Sequence, residues 1–160
     1  MEPFKKPPQK REDFAGAVSD ATLRGLVGYN MKRAFNEVQA DLSRVLQKFE
    51  LRMLTYSALV LIVDNPGLRQ THLAEALAVE RPNLVIIIDE LERRGLIVRE
   101  RLVSDRRAYA LIATLEGRRL YEKATHAVAA HELRIFGERN DPMVLKLVEA
   151  MQWIEKKAAV

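Results

Sequence analysis

The chain has 160 residues, no cysteine, 30% charged and 48% hydrophobic residues, and a formal net charge of +4. This length predicts one compact domain whose core needs no disulfide or metal to stabilise it. The lack of cysteine excludes disulfide frameworks, thiol nucleophiles and thiolate zinc sites. Because the longest apolar run, from Ala58 to Val63, is far shorter than the ~20 residues that cross a bilayer, we expect no membrane partner.

The N-terminal segment combines prolines with scattered charges, which predicts a disordered arm over 1–15 and a single domain over 16–160. Prolines follow the first basic residues where a signal peptide would be apolar. The sequence therefore predicts a cytoplasmic protein.

Apolar residues then recur at helical spacing and predict one long helix from Asp20 to Lys48. Thr55 is the predicted N-cap of a second helix, which Asn65-Pro66-Gly67 ends. A short third helix is predicted from Arg69 to Leu77.

A fourth helix is predicted to begin near Arg81-Pro82, because proline suits the first turn, and to end before Gly95. Its apolar residues lie at positions i, i+3, i+4 and i+7 and define a buried stripe: Leu84, Ile87, Ile88 and Leu91.

The hydrophobic period next changes to two, which predicts a β-hairpin of strands Ile97 to Arg101 and Ala108 to Ala113 around a polar turn at 103–107. Thr114 is the predicted N-cap of a fifth helix, and Asp141-Pro142 predicts the start of a last one.

This order of elements predicts a mainly α protein with a small β-hairpin wing. Residues 55–113 have the order of a winged helix-turn-helix. The helices over 20–50 and 114–158 carry apolar stripes without a core of their own. A two-fold axis would cover these stripes most simply, so we expect a helical dimerisation region and a homodimer.

Positive charge is concentrated between Arg93 and Arg107, a segment with six arginines and two acidic residues. Such a cluster is typical of a polyanion-binding surface, although a solvated charged face gives the same pattern.

Three segments have residues suited to DNA. The exposed side of the fourth helix would present its first turns to base edges in the major groove: Arg81, Asn83, Val85 and Ile86. The hairpin tip places guanidinium groups beside one carboxylate and suits the narrow minor groove: Asp105, Arg106 and Arg107. Free backbone N–H groups at the start of the short helix suit a phosphate, and three residues lie there: Arg69, Gln70 and Thr71.

Four segments resemble the MarR family of bacterial transcription regulators: Leu68 to Ala74, Asp89 to Ile97, Asp105 to Arg107 and Thr114 to Gly117. The resemblance extends from about Tyr29 to the C-terminus. It implies an obligate homodimer, formed by the first helix and the last two, that binds an imperfectly palindromic double-stranded DNA operator. It also implies a repressor that a small-molecule inducer releases.

The chain departs from this family at Val85-Ile86, where members commonly have a polar or basic pair. The base-reading pattern is therefore not carried over. The absence of cysteine excludes the oxidation-sensing branch of the family.

The family places its ligand pocket between the dimerisation helices and the winged domain. Four residues near that junction suit an anionic aromatic ligand or its acyl thioester: Tyr29, Arg33, Arg52 and Tyr56. The alternative is that they are surface or interface groups.

No nucleophile with a base, paired carboxylates or glycine-rich phosphate loop stands at recognisable spacing, so we expect neither an enzyme nor a cofactor. The three histidines are too scattered to predict a metal site, and His131 is expected in a core or interface. Two alternatives remain open: a winged helix that binds a protein instead of DNA, and a DNA-binding protein that responds to no ligand.

Overall fold

The computed structural model describes residues 17–101 and 109–158. The helices are α1 (Ala21–Arg24), α2 (Val27–Gln47), α3 (Met53–Asp64), α4 (Gln70–Leu77), α5 (Arg81–Arg93), α6 (Leu115–Phe136) and α7 (Pro142–Ala158). The strands are β1 (Leu68–Arg69), β2 (Ile97–Arg101) and β3 (Tyr109–Ala113). The arm predicted over 1–15 and the hairpin tip predicted at 103–107 lie outside the described residues. The described residues form two compact units, which divide between Phe35 and Asn36.

The main hydrophobic core of the second unit joins α3, α4 and α5 to the small sheet. The apolar stripe predicted for the fourth helix is confirmed, because all four of its residues are buried in α5: Leu84, Ile87, Ile88 and Leu91. The middle of α3 supplies fully buried partners: Ala58, Leu59 and Ile62. Burial of this stripe determines which side of α5 stays exposed.

The sheet has three antiparallel strands in the order β1-β3-β2. The predicted pairing of the hairpin strands is confirmed, since Ile97 lies opposite Ala113 and Arg101 opposite Tyr109. β1 was not predicted, because a strand of two residues is too short to show a period of two. The pairing of Leu68 with Leu111 fixes the start of α4 to the sheet.

Two residues define the connections on either side of the hairpin. Gly95 has a φ of +68°, a left-handed conformation that glycine adopts freely, and it follows α5 as predicted. Thr114 caps α6 as predicted, because its Oγ1 accepts a hydrogen bond from the N–H of Gly117 at 3.0 Å. The same hydroxyl donates to the carbonyl of Gly95 at 2.7 Å. The first turn of α6 is thereby held against the turn that follows α5.

The long helix predicted from Asp20 is wrong in its first turns, because the helix is interrupted between α1 and α2, at Gly25 and Leu26. Glycine disfavours the helix interior. Asn30 Nδ2 also donates to the carbonyl groups of Arg24 and Leu26, each at 2.8 Å, and so pairs backbone oxygens at the break.

The N-cap predicted for the second helix is also wrong. α3 begins at Met53, and Arg52 occupies the N-cap position without a side-chain hydrogen bond. Thr55 lies inside the helix with its Oγ1 buried and unpartnered. Leu51 and Met53 belong to a second core cluster with Leu46, and their packing moves the start of the helix to the N-terminal side of Thr55.

A partly buried ion-pair cluster joins α2 to α6. The interior position predicted for His131 is confirmed, and its Nδ1 lies 2.7 Å from Oδ2 of Asp41. Arg134 also pairs with Asp41. The hydrogen bonds from Arg134 and then from His131 lower the pKa of the Asp41 carboxyl.

The last helix, α7, has no buried residue within the described chain. Several large apolar residues are exposed on it: Leu147, Val148 and Met151. Trp153 is 62% exposed on the same helix. Soluble chains seldom leave a continuous apolar face of this size in water, so α7 needs a further surface to cover it.

Candidate functional site

The exposed side of α5 carries the residues predicted to read bases. Val85 and Ile86 are 46% and 61% exposed although both are large and apolar. Arg81 and Asn83 are exposed in the first turn. With 3.6 residues per turn, Val85 and Ile86 flank the line opposite the buried stripe, whereas Asn83 lies on the same side as Glu90. The four predicted residues therefore point in different directions.

The start of α4 has free backbone N–H groups, because the N-cap residue, Arg69, makes no side-chain cap. Arg69 and Thr71 are exposed, and Gln70 is half-buried. This position is suited to a phosphate group, as the sequence predicts.

The arginine-rich segment contains both structural and exposed residues. Arg94 and Arg99 make intramolecular contacts, whereas Arg93 and Arg101 are exposed. The residues predicted to enter the minor groove lie outside the described residues: Asp105, Arg106 and Arg107. The free positive surface is therefore smaller than the composition of the segment indicates.

Arg99 holds the wing against α5. Its guanidinium group, on β2, pairs with Asp89 and lies 3.4 Å from the carboxylate of Glu92. Because both acidic residues belong to α5, the Arg99 ion pairs join β2 to this helix.

A cavity of about 850 Å³ opens between the end of α2, the start of α3 and α5. Its apolar lining comes from the turn between α2 and α3, from the start of α3 and from α5: Leu51, Met53, Leu54, Ile86 and Ile87. Its polar lining includes Arg44, Arg52, Asn83 and Glu90. Arg52 was predicted as a ligand residue, whereas Asn83 and Ile86 were predicted as DNA residues. α5 thus contributes to the cavity and to the exposed reading surface.

The cavity residues that were not predicted include Arg44 and Glu90. Glu90 is seven residues after Asn83 and so shares its side of α5, and this helical spacing is the signal that could have identified it. Arg44 gives no such signal, because its place on the cavity depends on how α2 meets α3.

Arginines connect α5 to the turn between α2 and α3. Arg52 Nη2 lies 2.5 Å from Oε2 of Glu90. Arg94, just after α5, donates to the carbonyl groups of Glu50 and Phe49 at 2.7 and 3.0 Å. Glu50 itself has a φ of +55°, the left-handed conformation of a tight turn.

The other predicted ligand residue of the second unit, Tyr56, lines a different cavity of about 410 Å³ between α3, α6 and the start of α7. Its hydroxyl is 3.4 Å from Oγ1 of Thr125. Arg52 and Tyr56 therefore do not line one cavity.

The remaining two predicted ligand residues belong to the first unit. The hydroxyl of Tyr29 donates to Oδ2 of Asp20 at 2.8 Å, and this hydrogen bond raises the pKa of Tyr29. Arg33, one turn further along α2, is exposed. Their role in a ligand site remains a prediction.

Over the described ranges, 17–101 and 109–158, no three histidine, aspartate or glutamate side chains are grouped as metal ligands. Nor does any helix in these ranges combine the length and apolar character needed to cross a membrane.

α4 and α5 form a helix-turn-helix, and β2 and β3 follow it as the strands of a wing. This order and packing define a winged helix protein of the kind that inserts its second helix into DNA.

Comparison with known proteins supports the assignment to the winged helix class. The model of the MarR family matches residues 51–109, from the end of the α2–α3 turn to the first residue of β3. A protein of Thauera aromatica assigned to transcriptional regulation of the hcr operon is 32% identical over 108 residues. The alignment covers 67% of this chain and 65% of that protein.

Solved structures are similar over more of their length. CouR bound to a 23-mer DNA duplex is 35% identical, with a TM-score of 0.77 over 86% of this chain and 99% of CouR. CouR from Rhodococcus jostii RHA1 bound to p-coumaroyl-CoA is 34% identical, with a TM-score of 0.75 over 85% and 95%. A MarR family regulator from Rhodococcus sp. RHA1 is 32% identical, with a TM-score of 0.74 over 85% and 96%. The chain belongs to the MarR family of transcription regulators.

Proposed function

We propose that this protein is a homodimeric repressor that binds a palindromic DNA operator and is released by an anionic aromatic ligand or its acyl thioester. The observation that carries the proposal is the double use of α5. Its exposed residues suit the major groove, and other residues of the same helix line the cavity of about 850 Å³. A ligand in the cavity therefore touches the helix that would contact DNA.

Three elements supply the DNA contacts in this proposal. α5 contacts base edges through Arg81, Asn83, Val85 and Ile86. The start of α4 contacts phosphate through Arg69, Gln70 and Thr71. The wing tip enters the minor groove through Asp105, Arg106 and Arg107. The CouR structure with DNA supports this assignment, because CouR is 35% identical to this chain.

Dimerisation covers the apolar surfaces that one chain leaves open. The last helices expose large apolar side chains: Leu133, Leu147, Val148, Met151 and Trp153. A second copy related by a two-fold axis would bury the same surface on both subunits. It would also give two reading helices, one for each half of a palindrome.

The large cavity suits the proposed ligand in size and chemistry. Its volume lies within the ~300–1,000 Å³ of small-molecule sites. Apolar residues suit an aromatic acyl group, and Arg44 and Arg52 suit carboxylate or phosphate oxygens. CouR, which binds p-coumaroyl-CoA, is 34% identical to this chain. Tyr29, Arg33 and Tyr56 remain predicted ligand contacts outside this cavity's described lining.

Selection of bound duplexes from a random DNA pool tests the DNA-binding part. On the selected duplex, Asn83→Ala is expected to cost roughly 1–3 kcal/mol with little change in the salt dependence of binding. Arg107→Ala is expected to weaken binding to every duplex and to make the plot of log K against log salt shallower by about one unit per lost contact. Asp105→Asn acts in the same direction but more weakly. Failure to enrich any duplex would favour a protein-binding winged helix.

Release by p-coumaroyl-CoA tests the ligand part, with p-coumarate and CoA alone as comparisons. Gln47 lines the cavity, whereas its neighbour Lys48 is exposed and is not part of the lining. Gln47→Trp should narrow the cavity and weaken release, and Lys48→Trp should retain it. A protein–DNA complex unaffected by all three compounds would indicate a ligand-independent DNA-binding protein.

A further inference from the structure

Arg52 and Glu90 form an ion pair on the wall of the large cavity. Nη2 of Arg52, the N-cap residue of α3, lies 2.5 Å from Oε2 of Glu90 in α5. The side chain of Arg52 is 72% exposed, whereas that of Glu90 is 21% exposed. The pair thus joins a cation that an incoming molecule reaches easily to a carboxylate that the protein largely covers.

Glu90 lies near the C-terminal end of α5, so a small movement there can produce a larger one at the DNA-facing end of the helix. Arg94, one turn later, holds the C-terminal end of the helix on the carbonyl groups of Glu50 and Phe49. The residues that would face DNA lie towards the other end. A tilt of α5 about the Arg94 contact therefore displaces Asn83 and Val85 more than it displaces Glu90.

We propose that an anionic group of a ligand in this cavity takes Arg52 from Glu90, and that loss of this ion pair shifts α5 and weakens DNA binding. The proposal rests on the proposed function, because it requires an anion in the cavity and DNA on α5. The anionic group of the ligand and the carboxylate of Glu90 compete for the guanidinium group of Arg52. The displaced Glu90 carboxylate is left largely covered without its cation, which is unfavourable until α5 moves it towards water.

The other cation of the cavity lacks this connection to α5. Arg44 pairs with Asp41 of its own helix at 2.8 Å. A ligand that binds Arg44 breaks a contact within α2 and leaves α5 as it was. Arg52 is therefore the cavity arginine that connects ligand binding to the DNA-facing helix.

Asp89 offers a matched control on the same helix. It precedes Glu90 but pairs with Arg99 of β2, and it is not part of the cavity lining. Asp89→Asn and Glu90→Gln each replace one α5 carboxylate by its amide and each weaken one ion pair. Of the two ion pairs, only the one between Glu90 and Arg52 lies on the cavity.

The experiment measures two quantities for the full chain: the Kd for p-coumaroyl-CoA, and the ratio of the Kd values for the selected duplex with and without p-coumaroyl-CoA. Glu90→Gln removes the competing anion, so p-coumaroyl-CoA should bind about two- to fivefold tighter, the range expected for a half-exposed ion pair. DNA binding without ligand should weaken, and the ratio should fall towards one. Asp89→Asn should leave the ligand Kd and the ratio unchanged.

Arg52→Gln is the second variant, on an exposed side chain that is not required for folding of the core. It should bind p-coumaroyl-CoA about two- to fivefold more weakly and also bring the ratio towards one. Opposite effects on ligand affinity with the same effect on the ratio distinguish competition from a structural role. A structural role would weaken ligand binding in both variants.

Glu90→Gln with wild-type ligand affinity and a wild-type ratio would overturn the competition but leave the proposed function intact. The ratio measured for the wild-type protein gives the second outcome. If it is one at concentrations where p-coumaroyl-CoA is shown to bind, the ligand part of the proposed function is overturned, and this inference with it.

Discussion

The carbonyl group of Leu96 lies directly against the Cα of Gly117. A Cβ on Gly117 would stand 2.0 Å from the oxygen of Leu96 and 2.9 Å from its carbonyl carbon. The same oxygen accepts a hydrogen bond from the N–H of Thr114 at 3.0 Å. Gly117 therefore permits the first turn of α6 to pack on the residue just before β2, an approach that no side chain allows.

Gly117→Ala is expected to lower the free energy of unfolding by about 2 kcal/mol or more, because a clash with backbone atoms cannot be relieved by a rotamer change. Gly28 in α2 is the control, since a Cβ there meets no described atom within 4 Å. Gly28→Ala should change stability by no more than about 0.5 kcal/mol, in the stabilising direction. Denaturant unfolding of both variants gives the comparison. Equal effects would contradict the close contact.

The Asp41 cluster predicts how stability depends on pH. Because its pKa is below the ordinary value of 3.8, ionised Asp41 stabilises the fold above that value, and this contribution is lost as the pH falls through the lowered pKa. Asp41→Asn should therefore be less stable than wild type near neutral pH. The difference should shrink as the pH falls below about 4. Thermal unfolding from neutral to acid pH measures it, and a difference that stays constant in acid would count against the cluster.

Most of the features that were predicted correctly from the sequence depend on residues that are close together along the chain. The α5 stripe, the turn at Gly95 and the Thr114 cap were predicted because each depends on residues within two helical turns. The Thr55 cap was wrong, although its signal is equally local. There the packing of Leu51 and Met53 against another helix outweighed one hydrogen bond.

Features formed by distant residues were missed. β1 exists because Leu68 pairs with Leu111, and no period in the sequence reveals a pair so far apart. The Arg52–Glu90 pair, on the wall of the large cavity, joins residues that are 38 positions apart in the sequence. Arg52 and Tyr56 were assigned to one ligand site because both lie near the junction of the dimerisation helices and the winged domain, yet they line different cavities.

The exposed apolar residues of α7 predict that the wild-type protein is a dimer and that charges introduced on this helix make it a monomer. The double variant Leu147→Glu with Met151→Glu places charges on the surface proposed to be buried, so it should be monomeric at micromolar concentration. Wild type should show twice the chain mass of 18.3 kDa in light scattering. Lys156→Glu with Lys157→Glu changes two charges on the same helix and should remain dimeric. A wild-type mass of one chain would contradict the dimer and the palindromic operator together.

The exposed pair Val85 and Ile86 predicts which bases the protein reads. The C5-methyl group of thymine is the apolar group that the major groove presents. Replacing thymidine by deoxyuridine in the selected duplex removes this methyl and keeps every hydrogen-bonding group. Wild type should then lose about fourfold in affinity for each contacted methyl, the effect of ~0.8 kcal/mol per buried carbon. The double variant Val85→Ala with Ile86→Ala should bind both duplexes with similar affinity. Arg93→Ala, on the same helix but two turns after Ile86, should keep the preference for thymidine, because it leaves both apolar side chains in place. Wild-type affinities that are equal for the two duplexes would show that α5 reads its operator without this pair.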